Sequence, residues 1–137
     1  MRPGNIYSGN SDLARFTNPT ELAHKKGKLS KHYPVIIDSR TFEDAEAAYH
    51  FYTRDNKDDI DFCAAVCIRV LQHKLEQYPE LVCAMESAGG LSWIEKCYHF
   101  TYAKTLRFRR WEGIGRKSLF IDCLYKAYEA VAKQEHK

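Results

Sequence analysis

The pattern of apolar and polar residues predicts a mainly helical chain. Apolar residues recur at helical spacing from about Asp59 to Tyr78, and again from Ser118 to Val131. Between these segments, PELVCAMESA (residues 79–88) predicts a short helix that begins with Pro79 and is terminated by the following Gly89-Gly90. The stretch from residue 93 to residue 106 does not distinguish helix from strand.

The first third of the chain predicts shorter elements. Residues 5–8 suit a short strand. Asn18 is a candidate N-cap, with Pro19 at the first helical position, and Gly27 ends that helix. Residues 35–37 favour a strand that is followed by a turn through residues 38–40.

Thr41 then predicts the start of another helix. The pattern Thr41-x-x-Asp44 is typical of a capping box, and the helix is expected to run to about Tyr52. These elements together predict a mainly α (α+β) fold, with about six helices and a small N-terminal sheet or hairpin.

The length and composition favour one domain. The 137 residues fit the usual domain size of roughly 100–200 residues, and no composition shift divides them. The hydrophobic share is 45%, with seven Phe, nine Tyr and two Trp, which supplies enough apolar surface for one core. We expect a single domain over residues 1–137, with a polar tail from about residue 132.

Charge and cysteine content narrow the class of protein. A net charge of +3 is too mild for a dedicated electrostatic DNA binder, although local clustering can still serve phosphate-bearing ligands. No run approaches the roughly 20 apolar residues of a membrane span, and the start MRPGNIYSGN lacks the apolar core of a secretory signal. Five cysteines, mostly among apolar neighbours, indicate reduced thiols. A cytoplasmic protein without membrane contact is expected, and its oligomeric state stays open.

Glu46 interrupts an apolar helix face. Phe42, Ala45 and Tyr49 fall at i, i+3 and i+7, and the i+4 position is Glu46. An ionised carboxylate on such a face needs a partner, or else it lines a cavity where it does chemistry. His50, one turn on, could orient Glu46 or a substrate. The spacing alone favours a simple i,i+4 contact at a half-exposed helix edge.

Three other motifs carry weaker signals. The basic run KTLRFRRWEGIGRK (residues 104–117), with Phe108 and Trp111, suits phosphate plus a stacked base as well as it suits a solvated loop. Gly113-Ile114-Gly115 predicts a turn, because a phosphate loop needs a third glycine. Cys97-x-His99 resembles half a zinc site, but no second pair offers itself, so we expect no metal.

The order of these segments resembles one family. FTNP, YPVIIDSRTFEDAEAAYHF, KLEQYPELVCAMESAGG, IEK and RRWEGIG, followed by an amphipathic helix, are similar to the NADAR or YbiA-like family over roughly residues 6–131. The resemblance implies a YbiA-like domain that cleaves N-glycosidic bonds of ribose. The implied substrate is ADP-ribosylated nucleic acid or a phosphorylated ribosyl small molecule, namely a ribosylamino-pyrimidine phosphate. The resemblance implies no cofactor.

The resemblance also implies site residues. Glu46 falls on the family's helix glutamate and would stabilise the oxocarbenium-like transition state, while Glu95 falls on a later glutamate and would take the complementary acid–base role. Stacking of the base and binding of phosphates would involve aromatic and cationic side chains. The expected substrate-binding residues are Asn18, Tyr49, His50, Arg109, Arg110, Trp111, Gly113 and Gly115.

Two other functions remain open. The chain departs from the family pattern at Ala47 and His50, which favours a module that binds ADP-ribose, NAD or a modified nucleotide without cleaving it. A structural or interaction domain is the third possibility. It predicts that Glu46 is paired with an arginine and that no polar cavity is present.

Overall fold

The computed structural model describes residues 1–101 and 109–135, and every structural statement below concerns those residues. Helices dominate the architecture, as the sequence predicts. The described α-helices are α1 (Thr20–Lys25), α2 (Ala45–Thr53), α3 (Ile60–Gln77), α4 (Pro79–Ala88), α5 (Leu91–Lys96) and α6 (Leu119–Glu135). The described strands are β1 (Val35–Ile37), β2 (Arg40–Phe42), β3 (Tyr98–His99) and β4 (Gly113–Ile114), in two antiparallel pairs.

The core lies between α3 and α6, which pack along each other. Both helices bury the apolar stripe that their spacing predicts, including Cys67 and Leu71 of α3 and Leu124 of α6. The Asp59 carboxylate caps α3 by accepting a hydrogen bond from the Phe62 N–H at 3.1 Å. Both helices are therefore confirmed. Helix α6 continues to Glu135, so the chain is still helical beyond residue 132, where a polar tail was expected.

Helix α4 has the bounds that the sequence predicts. Pro79 occupies its first position, and the two glycines terminate it. The N–H of Gly90 donates to the carbonyl of Met85 at 2.8 Å, which satisfies a carbonyl of the last turn. Helix α5 then follows directly, in a region that the sequence pattern left unassigned.

A hairpin replaces the helix start expected at Thr41, and this prediction was wrong. Strands β1 and β2 pair with Val35 opposite Phe42, joined by Asp38 and Ser39 at φ 52° and 66°. Such a left-handed pair is the geometry of a tight hairpin turn, so the turn predicted through residues 38–40 leads into a second strand instead of a helix. Helix α2 instead begins at Ala45, and the predicted small N-terminal hairpin is confirmed.

Asp44 caps two helices at once. One carboxylate oxygen accepts from the Ala47 N–H at 2.9 Å, in the first turn of α2, and the other accepts from the Glu21 N–H at 3.0 Å, in the first turn of α1. Asn18 was expected to cap α1, but its side chain makes no such bond. The shared cap fixes the starts of α1 and α2 beside each other.

The second strand pair joins three distant parts of the chain. His99 pairs with Gly113 and Tyr98 with Ile114. The N–H of Ile6 donates to the carbonyl of Tyr98 at 2.8 Å, so the chain start lies against β3. Residues 5–8, expected as a strand, contribute only an isolated bridge at Asn5.

Not one of the helices in residues 1–101 and 109–135 has both the length and the apolar character that a membrane span requires.

Candidate functional site

A cleft of about 390 Å³ opens where the starts of α1 and α2 meet β3 and the residues before β4. Its walls combine a carboxylate, two histidines and three aromatic rings. The lining residues are Asn18, Pro19, Leu22, Glu46, Tyr49, His50, His99, Thr101, Trp111 and Phe120. The structure thus brings five of the sequence-predicted site residues together.

Glu46 carries the negative charge of this cleft. It lies in the first turn of α2, where its N–H donates to the carbonyl of Asn18 at 3.1 Å. Its Oε1 lies 2.8 Å from Nε2 of His50, one helical turn away. The hydrogen bond to Glu46 raises the pKa of His50 above its ordinary 6.5, and burial opposes this only in part. The pairing therefore favours the protonated form of the His50 ring.

The ionic partner of Glu46 bears on the third possibility, that the chain is a structural or interaction domain. That interpretation predicts an arginine partner and no polar cavity. Within the part of the chain that the structure describes, the ionic partner of Glu46 is His50, and both residues line the cleft. The side chain of Glu46 keeps 35% of its surface exposed, so its carboxylate remains reachable from the cleft.

Two aromatic residues form one wall. The rings of Tyr49 and Trp111 meet edge to face, with centroids 5.6 Å apart and an interplanar angle of 80°. Burial and a hydrogen bond with the Cys63 thiol raise the pKa of Tyr49. The Tyr49 hydroxyl is therefore turned toward the interior, and its ring presents apolar surface to the cleft.

Trp111 is held by the start of α6. Its carbonyl accepts a hydrogen bond from Oγ of Ser118 at 2.5 Å, and the carbonyl of Arg110 accepts from the Leu119 N–H at 3.1 Å. Arg109 and Arg110 are exposed and are not among the lining residues of the cleft. The structure therefore places Trp111 in the cleft but not the two arginines. Lys104, Arg107 and Phe108 of the basic run lie outside the described residues.

Gly113 and Gly115 serve packing, in contrast to the substrate contact expected for them. Gly113 pairs with His99 across the sheet, and neither glycine is among the described lining residues of the cleft. The N–H of Gly115 donates to the carbonyl of Cys97 at 2.8 Å, with φ at 59°. A Cβ at residue 115 would lie 2.6 Å from the carbonyl oxygen of Glu95. Only glycine suits this approach, which holds β3 and β4 together.

Glu95 lies apart from Glu46, so the expected pairing of the two carboxylates is not found among the described residues of the cleft. Glu95 lies on α5 with an exposed side chain and is absent from the described lining of the cleft. Its charge instead acts on Arg116. The hydrogen bond with Asp122 is the main cause of the raised pKa of Arg116, and Glu95 adds a smaller effect. The spacing in the sequence could not reveal this, because α5 turns the side chain outward.

Asn18 positions Glu46 through its backbone. The residue is 7% exposed, and its Nδ2 lies 3.6 Å from Sγ of Cys67. The preceding residue, Thr17, is fixed by the ammonium of Lys74, which donates to the carbonyls of Arg15 and Thr17 at 2.6 Å each. Burial lowers the pKa of Lys74 to about 7. The Asn18 carbonyl that binds the Glu46 N–H is thus anchored to α3.

His99 is the site residue that the sequence analysis missed. Its Nδ1 lies 2.6 Å from the carbonyl oxygen of Ile6, and its ring packs on Phe120 with centroids 4.7 Å apart. Burial lowers the pKa of His99 below its ordinary 6.5, although the Ile6 carbonyl, Glu112 and Glu46 act in the opposite direction. The motif Cys97-x-His99 was considered only as a metal signal, so a lone inward-facing histidine was overlooked.

Metal binding has no support from the described residues. Across residues 1–101 and 109–135, no three His, Cys, Asp or Glu side chains are grouped so that they could hold an ion. The cleft offers acid–base groups and aromatic surface instead, which suits a small ligand with a flat ring and hydroxyl or amino groups.

The fold and the cleft define a mainly helical protein with an acid–base site between its first two helices and a short sheet. No protein-family model matches the chain, and no curated protein or solved structure matches it either.

Proposed function

We propose that this protein is an N-glycosidase that hydrolyses the bond between a ribose and a nitrogen base. The supporting observation is the carboxylate of Glu46 in a ligand-sized cleft with aromatic walls. Cavities of about 300–1,000 Å³ are typical of small-molecule sites. The proposed substrates are an ADP-ribosylated base in nucleic acid or a ribosylamino-pyrimidine phosphate.

The chemistry assigned to Glu46 follows from the transition state of such a cleavage. As the bond from C1′ to the base nitrogen lengthens, positive charge develops on the ribose ring. A nearby carboxylate stabilises that charge, because the cleft excludes part of the water that would otherwise screen it. His50, whose Nε2 lies 2.8 Å from Oε1 of Glu46, can hold that carboxylate in position beside the ribose.

The aromatic residues fit the remaining parts of the ligand. Trp111 and Phe120 line the cleft with apolar surface on which a flat base can pack. Arg109 and Arg110 are exposed and directly precede Trp111 in the chain. Phosphates that extend out of the cleft beside Trp111 would meet these cations.

The family resemblance supports the same proposal. The helix glutamate of the NADAR or YbiA-like pattern corresponds to Glu46, and its tryptophan-glycine turn corresponds to residues 111–115. In this proposal the chain is a divergent YbiA-like protein. Gly113 and Gly115 then act on the site through the sheet that carries His99.

A second candidate function is binding without cleavage. Glycosidases commonly use two carboxylates, and Glu46 is the one carboxylate among the described lining residues. The pairing of that carboxylate with His50 is also compatible with a site that only recognises ADP-ribose, NAD or a modified nucleotide.

Turnover of a substrate panel distinguishes the two candidates. The panel contains ADP-ribosylated DNA, NAD, ADP-ribose and a ribosylamino-pyrimidine phosphate, and release of the free base is followed by chromatography. Wild type is compared with Glu46→Gln and with the control Glu43→Gln, an exposed glutamate just before α2. Hydrolysis by wild type and the control, with loss in Glu46→Gln, supports the N-glycosidase. Tight binding of a panel member without any turnover supports the binding module.

A further inference from the structure

We propose that His99 is the second catalytic residue of the cleft, and that its Nε2 accepts the proton of the attacking water. The carboxylate of Glu46 then stabilises the charge on the ribose. This inference rests on the N-glycosidase activity proposed above, and it assigns to His99 the role that the sequence analysis gave to Glu95.

Hydrolysis needs a group that moves a proton. The attacking water must lose a proton, and the departing base nitrogen must gain one. Glu46 is the one carboxylate in the described lining of the cleft, and Glu95 lies outside that lining. His50 is a poor acceptor, because its bond to Glu46 raises its pKa and favours the protonated ring. The histidine that remains is His99.

The hydrogen bond to Ile6 fixes the tautomer of His99. A carbonyl oxygen can only accept, so the proton of the neutral ring must lie on Nδ1, 2.6 Å from that oxygen. The lone pair is consequently on Nε2. This atom has no hydrogen-bond partner within residues 1–101 and 109–135, while the ring itself lines the cleft. A backbone carbonyl that orients a histidine in this way is a familiar arrangement for a proton acceptor.

The surroundings of His99 keep its ring neutral. Phe120 of α6 packs against the ring, and burial is the main reason that its pKa lies below the ordinary 6.5. The charged groups that act on it are Glu46 of α2 and Glu112, just before β4, and both raise its pKa less than burial lowers it. At neutral pH the ring can therefore accept a proton.

The proposed reaction balances with one water. The water oxygen forms a bond to C1′ while one of its protons passes to Nε2 of His99. The bond from C1′ to the base nitrogen breaks, and its electron pair remains on that nitrogen. The imidazolium of His99 then donates its Nε2 proton to the leaving base. The products are a ribose with a hydroxyl at C1′ and a base with an N–H, and both side chains return to their starting forms.

His99→Asn isolates the function of Nε2. The amide nitrogen of asparagine takes the place of Nδ1, so it can still donate to the Ile6 carbonyl, while the acceptor at the ε position is lost. His73→Asn is the matched control, because His73 lies on α3 and is not among the described cleft residues. Thermal unfolding of both variants checks that the fold is retained.

We expect His99→Asn to lower kcat/KM by roughly 10²- to 10⁴-fold, mainly through kcat. The wild-type profile of kcat/KM against pH should fall on the acid side with the same midpoint as the His99 ring titration measured by NMR. That midpoint lies below 6.5. In His99→Asn this acid limb should disappear from its wild-type position. The kcat/KM of the control His73→Asn should stay within about twofold of the wild-type value.

The outcomes separate the two proposals. If wild type hydrolyses a substrate and His99→Asn keeps both its kcat and its acid limb, the role of His99 is overturned and the N-glycosidase stands. If wild type and Glu46→Gln show equal turnover, or neither shows any, the N-glycosidase fails and the role of His99 with it. If His99→Asn does not fold, ¹⁵N spectra of the wild-type ring decide. A proton on Nδ1 supports the proposal, and a proton on Nε2 in its place overturns it.

Discussion

His50 and His99 line the same cleft, yet their surroundings move their pKa values in opposite directions. His50 is exposed over 60% of its side chain and binds the carboxylate of Glu46, which raises its pKa. His99 is packed on Phe120 and binds a backbone carbonyl, and burial lowers its pKa. The His50 ring therefore binds a proton more readily than the His99 ring does.

The hydrogen-bond partner and the burial of each histidine ring decide what the ring can do. An anionic partner at the surface favours the protonated ring, which can orient Glu46 and is the weaker proton acceptor. A neutral carbonyl acceptor in a half-buried place favours a neutral ring with its lone pair on Nε2. A single cleft can thus hold two imidazoles of different proton affinity, which suits a reaction that needs both an anion and a proton acceptor.

The largest effect should come from removing the carboxylate of Glu46, which raises the pKa of both histidines. Glu46→Gln should lower kcat/KM by roughly 10²- to 10⁴-fold, because the transition state loses its stabilising charge. The pKa of His50 should also fall back toward 6.5, since its main upward cause is gone. Kinetics and NMR titration measure the two effects. An unchanged pKa of His50 would mean that the ion pair does not form in solution.

Gly115→Ala should perturb the side of the cleft that holds His99. The added Cβ would meet the carbonyl oxygen of Glu95 at 2.6 Å, at a left-handed φ of 59°. We expect a loss of about 3 kcal/mol in the free energy of unfolding.

Gly27→Ala provides the matched control. Gly27 has a similar φ of 74° but nothing within 4 Å of the added Cβ, so about 1 kcal/mol is expected from the backbone alone. Urea unfolding compares the two variants. Equal losses would show that the close approach at Gly115 is not a constraint on the fold.

A smaller effect is expected from His50→Gln. Because the folded pKa of His50 is raised, its pairing with Glu46 adds stability that is complete below about pH 6.5. This stability is lost as the pH rises through the folded pKa. His50→Gln should remove that decline, by about 0.5 kcal/mol or less, because solvent screens an exposed pair. Urea unfolding between pH 5 and about 9 tests this, and an identical decline in the variant would contradict it.

The smallest effect should come from Glu95→Gln. Its side chain is exposed on α5 and lies outside the described lining of the cleft, so kcat/KM should stay within about twofold of wild type. A loss comparable to that of Glu46→Gln would restore the pairing of two glutamates that the sequence suggested and would displace His99.

The sequence predicts the elements that depend on local signals. Helices α3 and α4 have the expected bounds, because helical spacing is reinforced by a cap at Asp59 and by Pro79. The interruption of the apolar stripe at Glu46 was also a sound signal, since that residue does line a cleft. The helix caps and the spacing of apolar residues both lie within a few consecutive helical turns.

Predictions from the sequence were wrong or incomplete where the structure depends on pairing between segments of the chain. The start of α2 was misplaced because Thr41 pairs with Ile36 across the hairpin, and Asp44 caps α2 instead. His99 is held in the cleft by Ile6, Gly113 and Phe120, which are far away in the chain. Glu95 was included because chain order gives no side-chain direction.

The most direct test of the proposed roles is an NMR titration of both histidine rings in wild-type protein, with assignments from His50→Gln and His99→Asn. We expect His50 to titrate above 6.5 and His99 below it, and the neutral ring of His99 to carry its proton on Nδ1. Equal midpoints, or a His99 ring that is protonated when His50 is neutral, would contradict these roles.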